Sequence, residues 1–151
     1  ASRTEWKAPN AGNLWWRVLA ATPAIADWCR TYPGDVLYGE CYGKVQDLKY
    51  GCKPGEVRFA AFDILRRGEW IDACNMRSEL AVYGVPMVPL LYHGPYDATL
   101  IESLADGPSM IHGADHVREG VVVKPEHERR DDHFGRVALK LVSAEYLSRA
   151  K

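Results

Sequence analysis

Several things are missing from this sequence. No apolar run approaches the roughly 20 residues that a membrane-spanning helix requires, and no charged-then-apolar leader is present, so nothing reads as a signal peptide. The four cysteines, Cys29, Cys41, Cys52 and Cys74, form no CxxC pair, which argues against a zinc site. They read as reduced thiols in a cytosolic protein. The basic excess of a non-specific nucleic-acid binder is lacking too, because 19 Lys and Arg meet 20 Asp and Glu for a net charge of -1. Any nucleic-acid contact must come from a local basic patch. There is no internal repeat, low-complexity tract or linker. Nor is there an opening methionine: the chain starts Ala1-Ser2-Arg3, giving the expectation that this start is a cut.

What is present suits one domain with a real core. The chain has 151 residues, of which 47% are hydrophobic and 26% charged, the mix of an ordinary globular protein. Asn13 is placed to cap a helix over 14–20, and Thr22 a second one that opens on Pro23, where proline is tolerated. Alternation predicts a strand from Asp35 to Gly43, with Val36, Tyr38, Glu40 and Tyr42 on one face. The strongest strand signal runs from Val57 to Leu65. Arg67-Gly68 then turns into a short strand over Glu69 to Ile71. Residues 73–82 and 97–105 read as helices, the latter stopped by Gly107. Between them, Val85 to Leu91 carries Pro86 and Pro89 and reads as an edge or connection. Two last strands, Glu119 to Lys124 and Arg136 to Val142, flank a polar loop, and Ser143 caps a short terminal helix. The predicted class is α+β, with antiparallel strands and helices packed outside.

Four stretches carry the chemistry: Tyr38-Gly39-Glu40, Phe59 to Ile64, Arg118 to Lys124, and Ala138 to Val142. Taken singly, a strand carboxylate is a solvated side chain, Phe62 a core residue and Lys140 a surface lysine lying on its stem. Taken together, Glu40, Asp63 and Glu119 each interrupt an otherwise apolar strand. A buried carboxylate without partners costs several kcal/mol, on the order given by desolvation, so three interruptions predict one shared polar cleft. Lys124 and Lys140 lie on the last two strands and can line it. Acids beside lysines, with an aromatic face nearby, suit a nucleotide and its metal.

In this order the stretches resemble motifs of the covalent nucleotidyltransferases, the superfamily of DNA ligases, RNA ligases and mRNA capping enzymes. Phe59 to Ile64 resembles motif III, Glu119-Gly120-Val121-Val122 with Lys124 resembles the EGxxxK of motif IV, and Lys140 in its Leu-Lys-Leu setting resembles motif V. Val85 to Leu91 is similar to the connecting motif IIIa, and Ser2-Arg3 to the short motif that follows the nucleophile. The run from Tyr38 to Gly55, with Val45 to Gly51 inside it, most resembles the ATP-dependent RNA ligases of the repair and editing branch. The resemblance covers nearly the whole chain. It implies a nucleotidyltransferase (adenylation) domain, ATP-grasp-like, with small antiparallel sheets around a nucleotide cleft. Residues 1–151 would be part of that domain, from the motif after the nucleophile through motif V.

The resemblance also implies roles. Phe62 would stack on adenine and Glu40 hold the ribose. Asp63 and Glu119 would act near the metal or the nucleophile. Lys140 and Lys124 would contact the α-phosphate, and Arg3 the sugar-phosphate or the RNA end. ATP (as AMP on the enzyme) and Mg2+ are the implied cofactors, RNA ends the substrate, and the cytoplasm the location. Two features depart from the pattern. The nucleophile motif KxxG is absent: the lysines at 7, 44 and 49 all fail it. Motif V often reads KxK, whereas Ala138 takes the first place here, which removes one phosphate contact or shifts it to Arg136. The expectation is a chain that does not form the adenylate alone and would need the missing N-terminal segment as its partner. Rival readings are a DNA ligase or capping-type enzyme, a non-catalytic nucleotide- or RNA-end-binding module, and a metal-dependent hydrolase built on His112, Asp115 and His116.

Overall fold

The computed structural model describes residues 7–43 and 48–149. Ser2, Arg3 and the stretch from Val45 to Asp47 lie outside the described residues. Helix α1 (Leu14–Ala21) starts where expected, with Asn13 accepting from the Trp15 amide at 3.0 Å. Helix α2 (Pro23–Thr31) has proline at its first turn, but Thr22 makes no side-chain cap. The reason is local. Thr22 already closes α1, donating its amide to Val18 at 2.9 Å. Its ψ of 73° is not the extended geometry that aims an N-cap hydroxyl at the next turn.

Strands β1 (Val36–Tyr42), β2 (Arg58–Arg66) and β3 (Glu69–Trp70) form an antiparallel sheet in the order β1-β2-β3. Arg67 and Gly68 both take positive φ, 52° and 85°, as a tight two-residue hairpin turn requires. The β1–β2 register slips between Tyr38, opposite Asp63, and Gly39, opposite Ala61. Phe62 is therefore the extra residue of a bulge. Before it, Val57, Phe59 and Ala61 face the core, and after it Ile64 does. The bulge thus shifts the phase of β2 by one residue and turns Asp63 to the opposite face from Ile64.

The core lies on one face of this sheet. Val18 of α1, Trp28 of α2, and Met76 and Leu80 of α3 (Ala73–Tyr83) pack there with Val57, Phe59, Ala61, Ile64 and Val85. Gly39 is required at the centre: a Cβ on it would fall 2.1 Å from the Phe59 ring. After α3, Met87 makes one parallel bridge to Ala61, so the proline-flanked stretch is a connection touching the sheet edge, as its prolines predict.

The remainder is smaller. Asp97 caps α4 (Ala98–Ala105), accepting from Leu100 at 3.1 Å. Strand β4 (Gly120–Val123) pairs with β7 (Leu139–Val142), and a separate hairpin joins β5 (Arg130–Asp131) to β6 (Gly135–Arg136). The expectation of one strand from Arg136 to Val142 is corrected: the chain leaves the β5–β6 hairpin at Arg136 and re-enters pairing at Leu139. Val137 donates instead to the carbonyl of Arg129, at 3.1 Å. Ser143 caps α5 (Ala144–Arg149), its hydroxyl accepting from Tyr146 at 3.0 Å. Among the described residues no helix is long and apolar enough to cross a membrane. All four cysteines are free thiols, with Cys41 pushed up to about 11, mainly by burial and further by the charge of Glu40.

Candidate functional site

In an antiparallel pair, residues directly opposite share a face. The β1–β2 register therefore places Tyr38, Glu40 and Tyr42 on the same face as Asp63, Ala60 and Arg58, away from the helices. Two groups of side chains from the C-terminal third close over that face.

The first group is built on Asp63, whose exposure is 7%. Lys124 donates to Oδ1 at 2.7 Å. Arg136 grips both oxygens, at 2.8 Å to Oδ2 and 2.6 Å to Oδ1, the fork geometry that suits guanidinium and carboxylate. Burial alone would raise the Asp63 carboxyl. The hydrogen bonds and charges of Arg136 and Lys124 outweigh it and hold the group below its ordinary value. Arg136 also pairs with Glu128, through Nε at 2.9 Å and through a second, shorter contact. Its pKa is raised, chiefly by the bond to Asp63. Two acids and two bases thus neutralise one another, which is how buried charge becomes tolerable. The Arg136 guanidinium lies 4.0 Å from the centroid of Trp70, and Tyr38 packs beside that indole at 5.1 Å.

Lys124 has a second task. Its ammonium donates to the carbonyl of Phe62 at 2.7 Å. A bulge residue lacks a ladder partner, so Lys124 supplies the one that Phe62 would miss. The Phe62 ring is half-buried and stands outside the core cluster.

The second group is built on Glu119, which is half-buried just before β4. Its carboxylate accepts from the Tyr50 hydroxyl. Burial first, then the hydrogen bond and charge of Glu119, hold the Tyr50 phenol well above its ordinary value, so it stays a donor. The Tyr50 ring packs edge-on to His116 at 4.7 Å and to Tyr42 of β1 at 5.6 Å. Glu119 is thereby tied to the same sheet face as Asp63, through neutral aromatic groups.

The predicted residues therefore divide. Asp63 and Lys124 touch, with Phe62 between them through its carbonyl. Glu119 and Glu40 lie on the same side, Glu40 exposed beside Ala60. Lys140 is exposed on β7 opposite Val122 and makes no ion pair among the described residues. Arg3 lies outside them. The histidine motif does not assemble: among the described residues no group of three His, Cys, Asp or Glu side chains could hold a metal ion. His112 is exposed. His116 turns Nδ1 to the Val117 carbonyl at 2.8 Å, and because a carbonyl only accepts, Nδ1 carries the proton. Sequence reasoning missed Glu128, Trp70 and Tyr50. The first two are brought to Arg136 by the β5–β6 and β2–β3 hairpins, whose pairing no periodicity announces. Tyr50 carries one local signal, an aromatic directly before a glycine in a turn.

With this geometry in place, comparison with known proteins is informative. A family model described as RNA ligase matches residues 2–142. No curated protein matches the chain. Among solved structures it resembles the Naegleria gruberi RNA ligase with pyrophosphate, at 23% identity and a TM-score of 0.73, covering 94% of this chain and 42% of that one. A mutant of the same ligase with AMP and Mn gives 22% and 0.74 over the same shares. An archaeal ATP-dependent RNA ligase gives 24% and 0.60, covering 90% of this chain and 35% of that one. At such identities the likeness is one of fold. This chain spans less than half the length of the ligases it resembles.

Proposed function

We infer that this chain, which belongs to the RNA ligase family, is part of the nucleotidyltransferase domain of an ATP-dependent RNA ligase. Residues 1–151 would run from the motif after the nucleophile through motif V. The observation that carries the reading is the Lys124–Asp63 contact with its link to the Phe62 carbonyl. It draws the EGxxxK lysine onto the strand that presents the candidate base-stacking ring. Such a contact has no reason to form if the motifs are scattered surface letters.

The chemistry proceeds in three transfers. A lysine amine attacks the α-phosphorus of ATP, forming an N–P bond while the bond to pyrophosphate breaks and the amine sheds a proton. A 5′-phosphate oxygen of RNA then displaces the lysine and takes the adenylyl group. A 3′-hydroxyl finally attacks that 5′-phosphorus, loses its proton and releases AMP, leaving a phosphodiester. Covalent relay divides one hard condensation into easier steps. The nucleophile belongs to a KxxG segment that this sequence does not contain, so the chain alone would bind nucleotide without forming the adenylate.

Within this scheme Phe62 stacks on adenine, Glu40 holds the ribose, and Arg3 reaches the sugar-phosphate. Lys124 spends two of its three N–H donors on Asp63 and Phe62 and keeps one for the α-phosphate; Lys140, exposed on β7, approaches from the other strand. Asp63 fits a counter-ion better than a metal ligand, because its two oxygens already carry three charged donors. Glu119 fits a divalent ion better: it is half-buried, and the hydrogen-bond partner of its carboxylate among the described residues is one neutral hydroxyl. Bound there, magnesium or manganese would neutralise phosphate charge. RNA ends are the substrate, and RNA repair in the cytoplasm is the setting.

The test uses the full-length protein with ATP labelled at the α-phosphate and a divalent metal. Acid-labile, base-stable label on a lysine is the expected result, and its absence would sink the assignment. A non-catalytic RNA-end-binding module is favoured by one observation, the missing KxxG. It predicts tight binding of 5′-phosphorylated RNA with no label at all.

A further inference from the structure

Tyr50 has no part in that scheme, yet the structure goes to some length to place it. Its φ is 48°, in the left-handed region where a bulky side chain is uncommon. The surroundings over-determine this conformation. Gly51 follows at φ 70°, and a Cβ on Gly51 would lie 2.4 Å from the main chain of Gly113. The Cys52 amide closes the turn onto the Lys49 carbonyl at 2.9 Å. Tyr42 and His116 hold the ring from two sides, and the hydroxyl ends on Glu119. Backbone strain that persists because its surroundings enforce it is concentrated at functional sites.

We propose that Tyr50 is a positioning residue for Glu119. It would fix the rotamer of the carboxylate and occupy one direction of hydrogen bonding, so that the remaining lone pairs face the phosphates and their metal. The proposal rests on the ligase reading and deepens it. The phenol is suited to the task because it donates without bringing charge, whereas a lysine or arginine in its place would form an ion pair and cancel the carboxylate. The segment carrying Tyr50 also connects two sheets that share no strand, joining Tyr42 of β1 to Glu119 before β4. Glu119 is thus referenced to the floor of the site and not only to its own strand.

Two measurements test this. In this chain, the Tyr50 hydroxyl proton is expected as a slowly exchanging NMR resonance that disappears in Glu119→Ala, which removes the acceptor. A hydroxyl proton in free exchange overturns the contact. In the full-length protein, Tyr50→Phe keeps the ring and removes only the hydroxyl. It is expected to lower kcat for adenylate formation on the order of tenfold, the scale of a small misplacement, with the KM for ATP and the melting temperature unchanged. A wild-type kcat in Tyr50→Phe overturns the proposal, as does a joint loss of kcat, KM and melting temperature, which would make Tyr50 merely structural. If the wild-type protein itself forms no adenylate, the ligase reading falls instead.

Discussion

Asp63 and Glu119 are both acids of the same candidate site, and the molecule treats them in opposite ways. Asp63 is sealed beneath two cations, one of them bidentate and itself shared with Glu128. Among the described residues the Glu119 carboxylate is hydrogen-bonded by one neutral hydroxyl, that of Tyr50, whose ring packs against Tyr42 and His116. The difference separates architecture from chemistry. A carboxylate whose two oxygens carry three charged donors organises its neighbours, whereas one held by a neutral donor keeps capacity for a ligand. Resemblance alone gave both residues the same role, near the metal or the nucleophile. Their surroundings differ, and the roles proposed for them differ accordingly.

The comparison is broken most severely at Asp63. Asp63→Asn leaves Lys124 without its anion and Arg136 with Glu128 alone, and is expected to cost about 3–5 kcal/mol, read by urea unfolding of this chain. A loss below about 1 kcal/mol, the scale of an exposed ion pair, would mean that the cluster is solvated. Next comes the acid limb of stability. The folded-state pKa of Asp63 is depressed, so its contribution is fully present above the unfolded value, about 3.9, and is lost as pH falls through the folded value. Asp63→Asn should flatten the unfolding free energy against pH in that window, and an unchanged slope would refute the linkage. Trp70→Leu removes the ring beneath Arg136 and should cost about 1 kcal/mol beyond the lost packing, measured as a difference between wild type and a background already carrying Arg136→Gln. Glu119→Gln sharpens the contrast from the other side. It should change stability by under about 1 kcal/mol while abolishing adenylate formation in the full-length protein. Smallest is Lys140→Ala, within about 0.5 kcal/mol in stability, with several-fold weaker AMP binding by calorimetry. An unaltered affinity would remove Lys140 from the site.

Some of this was legible in the letters and some was not. Asn13 and Ser143 announced their helices because a capping side chain acts on the backbone two or three residues away. Strands β1 and β2 were legible from alternation and from a strong strand signal, although not their pairing. The bulge at Phe62 was not legible, because it depends on a lysine 62 positions later donating to a main-chain carbonyl. The break at Val137 and Ala138 escaped for a related reason. Residues 136–142 read as one strand, but Arg136 is claimed by Asp63, 73 positions away, and that tie outweighs continuity of the strand. Arg136 entered the sequence reading as a substitute phosphate ligand. In the structure its charge is spent on Asp63 and Glu128, so any phosphate it meets must compete with both.

The anchor between Lys124 and residue 62 runs through main chain and is therefore blind to the identity of the ring. Tyrosine, tryptophan or leucine in place of Phe62 would leave the clamp intact and alter only the surface offered to a flat ligand. The proposed platform is thereby uncoupled from the charge lattice. The ring can be exchanged while Lys124 continues to hold the strand in phase.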